Sequence, residues 1–122
     1  MKKIVTILVI VLTIVTAQAQ KKKKNAKVAV EVNGVCMMCK SRIEKAALNT
    51  KGVKFANWDV SSHQLTVIMD ERKTNKQTLC TNVANVGHDN ELAKAPQDAY
   101  DNLHGCCKYR DEEILKDHQK KD

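Results

Sequence analysis

Cys36 and Cys39 sit in Gly34-Val35-Cys36-Met37-Met38-Cys39-Lys40-Ser41-Arg42, and their type and spacing point most directly to chemistry. Two thiols separated by two residues can close on one soft metal ion, or on each other as a disulfide. Ile43, Ala46 and Ala47 follow at helical spacing, which predicts Cys36 in a loop and Cys39 in the first turn of a helix. A helix N-terminus carries free N–H groups and partial positive charge. Both lower a thiol pKa and favour the thiolate, the form that binds metal or attacks a disulfide. Lys40 and Arg42 add positive charge nearby. Two thiolates suit Cu(I) first, with Zn(II) and Hg(II) as other thiophilic guests; a structural zinc site would need four ligands. The competing reading of the same pair is a redox or structural disulfide.

A second cluster, His104, Cys106 and Cys107, lies near the C-terminus. Adjacent cysteines make a strained disulfide with each other. They can complete a site with Cys36 and Cys39 if the tail folds back, form a separate metal site, or pair with Cys80 or another chain. Cys80 falls beside Leu79 and Val83 on one face of a predicted helix, where a free cysteine packs as a small apolar residue. Methionine is a soft thioether, but Met37 and Met38 lie between the two ligands and are expected to face solvent or a partner.

The elements that must position these residues follow from periodicity. Val28, Val30 and Val32 alternate with Ala29 and Glu31 as a first strand ending at Asn33-Gly34. A helix from about Met38 to Asn49 stops at Gly52. Val53, Phe55, Trp58 and Val60 mark a second strand, with a slip in alternation between Phe55 and Trp58 that predicts a bulge. Ser61, Ser62 and His63 read as a hairpin turn before a third strand through Leu65, Val67 and Met69. Thr74 and Gln77 fit a capping box opening a second helix through Leu79, Val83 and Val86, closed by Gly87. Glu91 to Ala95 reads as a weak fourth strand ended by Pro96. The order β-α-β-β-α-β is the ferredoxin-like α+β pattern, a four-stranded antiparallel sheet with two helices on one face. Beyond it, residues 96–122 form a C-terminal extension whose last stretch, from Arg110, reads as a short helix through Ile114 and Leu115 or as disorder.

The chain opens with Met1-Lys2-Lys3, an apolar run from Ile4 to Val15, and Ala17-Gln18-Ala19. This is the pattern of a secretory signal peptide over residues 1–19. The apolar run is shorter than the ~20 residues a spanning helix needs, so no stable membrane insertion is expected after cleavage. No cysteine lies at the junction to carry a lipid. Residues 20–27 then form a basic tail through Lys21–Lys24, which accounts for much of the +7 net charge. An exported protein rarely meets nucleic acid, and aromatics at 3% supply no stacking platform for single strands. The five cysteines are an odd number, and the two close pairs are poor staples. Ligation explains them better than a disulfide framework. No Ser/His/Asp arrangement, paired carboxylates or phosphate-cradling loop is visible. Asp70, Glu71 and Asp89 sit at element ends and need only be solvated, so no enzyme activity is expected.

Element order together with Cys36-x-x-Cys39 between the first strand and first helix resembles the heavy-metal-associated domain, over residues 28–95. The resemblance implies Cys36 and Cys39 as two thiolate ligands, a soft-metal carrier or sequestering protein, and a periplasmic setting if the cell has two membranes. It implies a metal-transporting ATPase or efflux complex as partner, and a monomer or metal-bridged dimer. Gly87 matches the family's glycine in the loop after the second helix. Three departures stand out. Gly34 replaces a methionine that steadies the metal loop, which implies a more mobile loop. His88 occupies the place of an aromatic or lysine near the metal, where it is a third ligand, a tuner of the thiolates, or a surface histidine. Cys106 and Cys107 lie outside the family's domain. The rival functions are a thiol–disulfide redox protein, although the single proline, Pro96, is in the wrong region for a thioredoxin-like site, and a non-catalytic accessory domain of a metal efflux system.

Overall fold

The computed structural model describes residues 21–120; the proposed signal peptide, 1–19, lies outside the described residues. Five elements carry the α+β core: β1 (Ala26–Glu31), α1 (Met37–Leu48), β2 (Val53–Trp58), β3 (Gln64–Met69) and α2 (Lys76–Asn85). The sheet has the order β1-β3-β2 with both pairings antiparallel, Val28 opposite Val67 and Trp58 opposite Leu65. Period-two alternation turns Val30, Leu65, Val67 and Trp58 to the helical side, where they meet Ile43 and Ala47 of α1 and Leu79 and Val83 of α2. The bulge in β2 falls earlier than the pattern predicts, between Val53 and Phe55. It leaves Phe55 on the outer face, half exposed, and turns Trp58 fully inward.

Among the described residues the sheet has three strands, not four. Residues beyond Gly87 add to it only an isolated bridge, Val32 to Asn90, and a backbone bond from Glu91 N–H to the Glu31 carbonyl at 3.2 Å. The cause is local side-chain chemistry. The Asn90 carboxamide oxygen accepts from Leu92 N–H (3.2 Å) and Ala93 N–H (3.0 Å), and Asp89 Oδ1 accepts from Ala95 N–H (2.7 Å). Those amides are therefore spent on turns and not on a ladder. Glu91 even substitutes a carboxylate for a strand carbonyl, accepting from Glu31 N–H at 3.0 Å. The outer edge of β1 is left without a strand partner and borders an open groove lined by Lys21, Lys22, Lys23, Lys27, Lys73 and Lys76.

The cap of α2 also differs from expectation. Asn75 is the N-cap and accepts from Thr78 N–H at 2.8 Å, whereas the Thr74 hydroxyl is buried without a partner. Asn in an extended conformation makes this bond as well as threonine does, so the cap moves by one residue.

The extension folds onto the core. It forms α3 (Gln97–Asp101), a 3-10 turn (Gly105–Cys107) and α4 (Glu112–Gln119). Tyr100, Leu103, Cys107 and Tyr109 share one buried cluster with Val35, Cys39 and Ile43. Gly87, at φ 106°, permits this approach: a Cβ there would lie 2.8 Å from the Ala99 carbonyl and 2.9 Å from Leu103. No helix of the described residues is long and apolar enough to cross a membrane.

Candidate metal centre

Cys36 is the N-cap of α1, with extended backbone, and its carbonyl accepts from Lys40 N–H at 3.0 Å. Cys39 lies one turn in and is fully buried. Their sulfurs are 3.4 Å apart. The loop before them packs against Trp58. The Trp58 ring fills the space that a side chain at position 34 would take, its carbons 3.0 Å from an ideal Cβ on Gly34. The indole N–H is shared between the Val32 (3.1 Å) and His63 (3.2 Å) carbonyls. Gly34 and Trp58 are therefore one packing unit, and a bulky residue at 34 is unnecessary.

Cys107 arrives from the extension with its sulfur 3.3 Å from Cys36 Sγ. It too is fully buried. Cys106 is exposed, 4.0 Å from Cys107 Sγ and 3.6 Å from the Met38 thioether. The ligand atoms of Cys36, Cys106 and Cys107 all lie within 4.8 Å of one another. The structure thus joins the two cysteine clusters across 71 residues of chain. Met37 and Met38 both face solvent, 67% and 44% exposed, and the Met38 sulfur also lies against Cys106.

Burial raises a thiol pKa, and at Cys39 and Cys107 it prevails, in Cys107 reinforced by the neighbouring thiols. At Cys36 burial acts the same way but is outweighed by hydrogen bonds from the Cys39 backbone N–H and the Cys107 and Cys39 thiols, so its pKa is lowered. Of these three thiols, the one at the helix start is therefore the most readily ionised. Cys80 is buried away from the cluster in α2, its thiol pushed up to about 11 by burial, and behaves as core.

His88 and His104 are not part of the sulfur cluster. His104 is exposed, and its carbonyl accepts from Cys107 N–H at 2.8 Å. His88 is not on the surface: it is 0% exposed, with Nδ1 2.8 Å from the Asn33 carbonyl and its ring stacked on Tyr109. A carbonyl only accepts, so Nδ1 carries the proton, and Nε2 is buried without a partner. Burial foremost, and the nearby Arg42 charge, hold its pKa down to about 4. His88 is a neutral strut beneath the loop that precedes Cys36.

What fastens the extension was not singled out from the sequence. The Tyr109 hydroxyl donates to the Gly87 carbonyl (2.6 Å) and accepts from Asp89 N–H (2.8 Å). The Arg110 guanidinium grips Asp89 through both oxygens, at 2.7 and 3.0 Å, and lies 4.2 Å above the Tyr100 ring. Asp89, read as merely solvated, is the anchor of this clamp. Lys108 Nζ caps α3 through the Tyr100 and Asp101 carbonyls at 2.9 and 2.7 Å. These bonds surround Cys107 and fix where its sulfur points.

Residues 29–89 match the model of the heavy-metal-associated domain. The chain belongs to the heavy-metal-associated domain family. Among solved structures it is similar to the CopZ metallochaperone, at 27% identity and a TM-score of 0.52, over 53% of this chain and 98% of that one. It is also similar to oxidized MerP from Ralstonia metallidurans CH34, at 26% identity and a TM-score of 0.53, over 55% of this chain and 94% of that one. A search of curated proteins returns no match. The family match ends at residue 89 and so leaves out Cys106 and Cys107. This heavy-metal-associated domain therefore carries a sulfur-bearing extension folded over the cysteine pair of its own α1.

Proposed function

We propose that this protein carries a soft metal ion, Cu(I) in first place, on Cys36 and Cys39 with Cys107 beside them, and passes it on by thiolate exchange or holds it out of circulation. The observation that carries the reading is the position of Cys36 Sγ, 3.4 Å from Cys39 Sγ and 3.3 Å from Cys107 Sγ. Sulfurs bound at about 2.3 Å around one trigonal ion lie about 4 Å apart, so the two spacings at Cys36 need widen by well under an ångström to admit an ion. A set of thiolates and a thioether, with no carboxylate among them, selects Cu(I) over harder ions, and Zn(II) and Hg(II) are the other thiophilic guests. Likeness to a metallochaperone and to MerP supports the same reading.

Transfer requires that an incoming pair of thiols reach the ion. Cys36 and Cys106 form the accessible side, and Cys39 and Cys107 the closed side. A partner's cysteines therefore attack from the Met37–Met38 side, displacing Cys36 before Cys39. The segment 1–19 supports export, and a periplasmic location in a cell with two membranes. A metal-transporting ATPase or efflux complex is the partner this chemistry serves. On this reading the protein is a carrier and not an enzyme.

Competition of the reduced protein against a Cu(I) chelator under anaerobic conditions tests the assignment. The Cys36→Ser/Cys39→Ser protein is expected to lose high-affinity Cu(I). Unchanged affinity in that variant removes these residues from the site, and thiol–disulfide turnover in metal-free wild type would favour the redox reading.

A further inference from the structure

Five sulfurs lie in a row across the site: Cys39, Cys36, Cys107, Cys106 and Met38, at successive spacings of 3.4, 3.3, 4.0 and 3.6 Å. Five soft donors are more than the roughly four that one ion takes. With bonds of about 2.3 Å, no two sulfurs on one metal can be more than about 4.6 Å apart. Cys36, Cys106 and Cys107 lie within 4.8 Å of one another, and Cys39 lies 3.4 Å from Cys36. An ion held by Cys36 and Cys39 leaves Cys106 and Met38 unused at the exposed end. Both ends of the row nevertheless carry soft donors, and the middle pair, Cys36 and Cys107, is the closest of all.

We infer that the chain binds two monovalent soft ions side by side, one held by Cys39 and Cys36 and the other by Cys107, Cys106 and the Met38 thioether, with Cys36 and Cys107 as bridging thiolates. This deepens the soft-metal reading above and rests on it. Two ions each about 2.3 Å from both bridging sulfurs then sit roughly 3 Å apart. Thiolates bridge d10 monovalent ions readily because each sulfur keeps several lone pairs after deprotonation. The balance is simple: four S–H bonds are replaced by S–metal bonds, four protons leave to solvent, and no electron is transferred. Four thiolates and two monovalent cations leave two negative charges, next to the N-terminus of α1, whose first turn contains no acidic residue.

The two ions are not equivalent. The first is walled in by buried Cys39 and Cys107. The second faces solvent through Cys106, and its thioether is a weak ligand that a partner's thiolate replaces without a proton to remove. The outer position is thus the loading and delivery position, and the inner one is the store.

Anaerobic titration with Cu(I), counted by native mass spectrometry on the monomer, tests this directly, with copper-edge X-ray absorption as a second readout. Wild type is expected to take two ions per monomer and to show a copper–copper vector near 3 Å. Cys106→Ala, at an exposed position, is expected to hold one ion and to show no such vector. Met38→Leu is expected to weaken the second ion alone. One ion per wild-type monomer overturns the inference and leaves the carrier reading intact, as does a second ion indifferent to Cys106→Ala. A second ion found only in dimers also overturns it. Retention of both ions by Cys36→Ser/Cys39→Ser instead overturns the carrier reading itself.

Discussion

Replacing Tyr109 with Phe removes one oxygen and tests whether the extension is part of the fold or a loose appendage. The ring keeps its place, stacked on His88 and edge-on to Tyr100. What disappears is a hydroxyl that satisfies two backbone groups at once, the Gly87 carbonyl at 2.6 Å and Asp89 N–H at 2.8 Å. Neither group has another backbone partner to turn to, because Asp89 N–H lies at the point where the chain leaves α2 for the clamp. Leaving a buried donor or acceptor unsatisfied costs roughly 1–3 kcal/mol per group, so about 2–3 kcal/mol is expected for the pair after partial relief by water. In a domain of this size each kcal/mol moves Tm by roughly 4–8 °C. Thermal unfolding of the reduced, metal-free protein, followed by circular dichroism, should therefore fall by about 10 °C or more. A second readout separates local from global damage: the inner ion should be bound more weakly, since Cys107 is two residues away, while the Cys36–Cys39 spacing in α1 is untouched. A fall of about 2 °C or less would refute the claim that this hydroxyl fastens the extension.

Two further outcomes follow from the packing. Gly34→Ala sets a methyl group 3.0 Å from the Trp58 ring and 3.1 Å from Cys39 Cβ. Overpacking of this kind costs roughly 1–3 kcal/mol; urea unfolding measures it, and an unchanged midpoint would show that the loop yields freely. His88 supplies a pH dependence. Its folded pKa of about 4 lies below the ordinary 6.5, so the unfolded chain takes up the proton first as pH falls. Stability from this group is full above pH 6.5, declines down to about pH 4, and amounts to about 3 kcal/mol in all. Urea midpoints of the metal-free protein between pH 7 and 4 should show the decline, and His88→Gln should flatten it; parallel profiles for the two proteins would remove His88 as the cause.

The cysteine pair was legible because its geometry is local. Spacing of two residues and the apolar run of α1 place Cys36 and Cys39 at a helix start whatever else the chain does. The α+β order was legible for the same reason, from alternation in β1 and β3 and from Gly52 and Gly87. The fourth strand was not, because Leu92, Ala93 and Ala95 mimic strand residues while the amides that would make a ladder are captured by Asp89 and Asn90. Nor could spacing show that Cys107 meets Cys36. That encounter depends on Arg110 finding Asp89 and Tyr109 finding Gly87, pairs 21 and 22 residues apart with no periodic signature. The exchange of a loop methionine for Trp58 is similar. It places a side chain from β2 where the family resemblance looks for one in the loop, and only contact reveals it.

The bare rim of β1 has a consequence for how molecules of this protein meet. An unpaired strand ordinarily invites another chain to pair with it. Here Lys21, Lys22, Lys23 and Lys27 stand along that rim, and Glu71, Arg72, Lys73 and Lys76, the last paired with Glu91 at 3.2 Å, line the same groove. Two copies approaching rim to rim would press ammonium against ammonium, so the sheet does not extend from one molecule into the next at moderate salt. Lysines along this edge thereby disfavour edge-to-edge pairing and leave backbone groups of β1 to water.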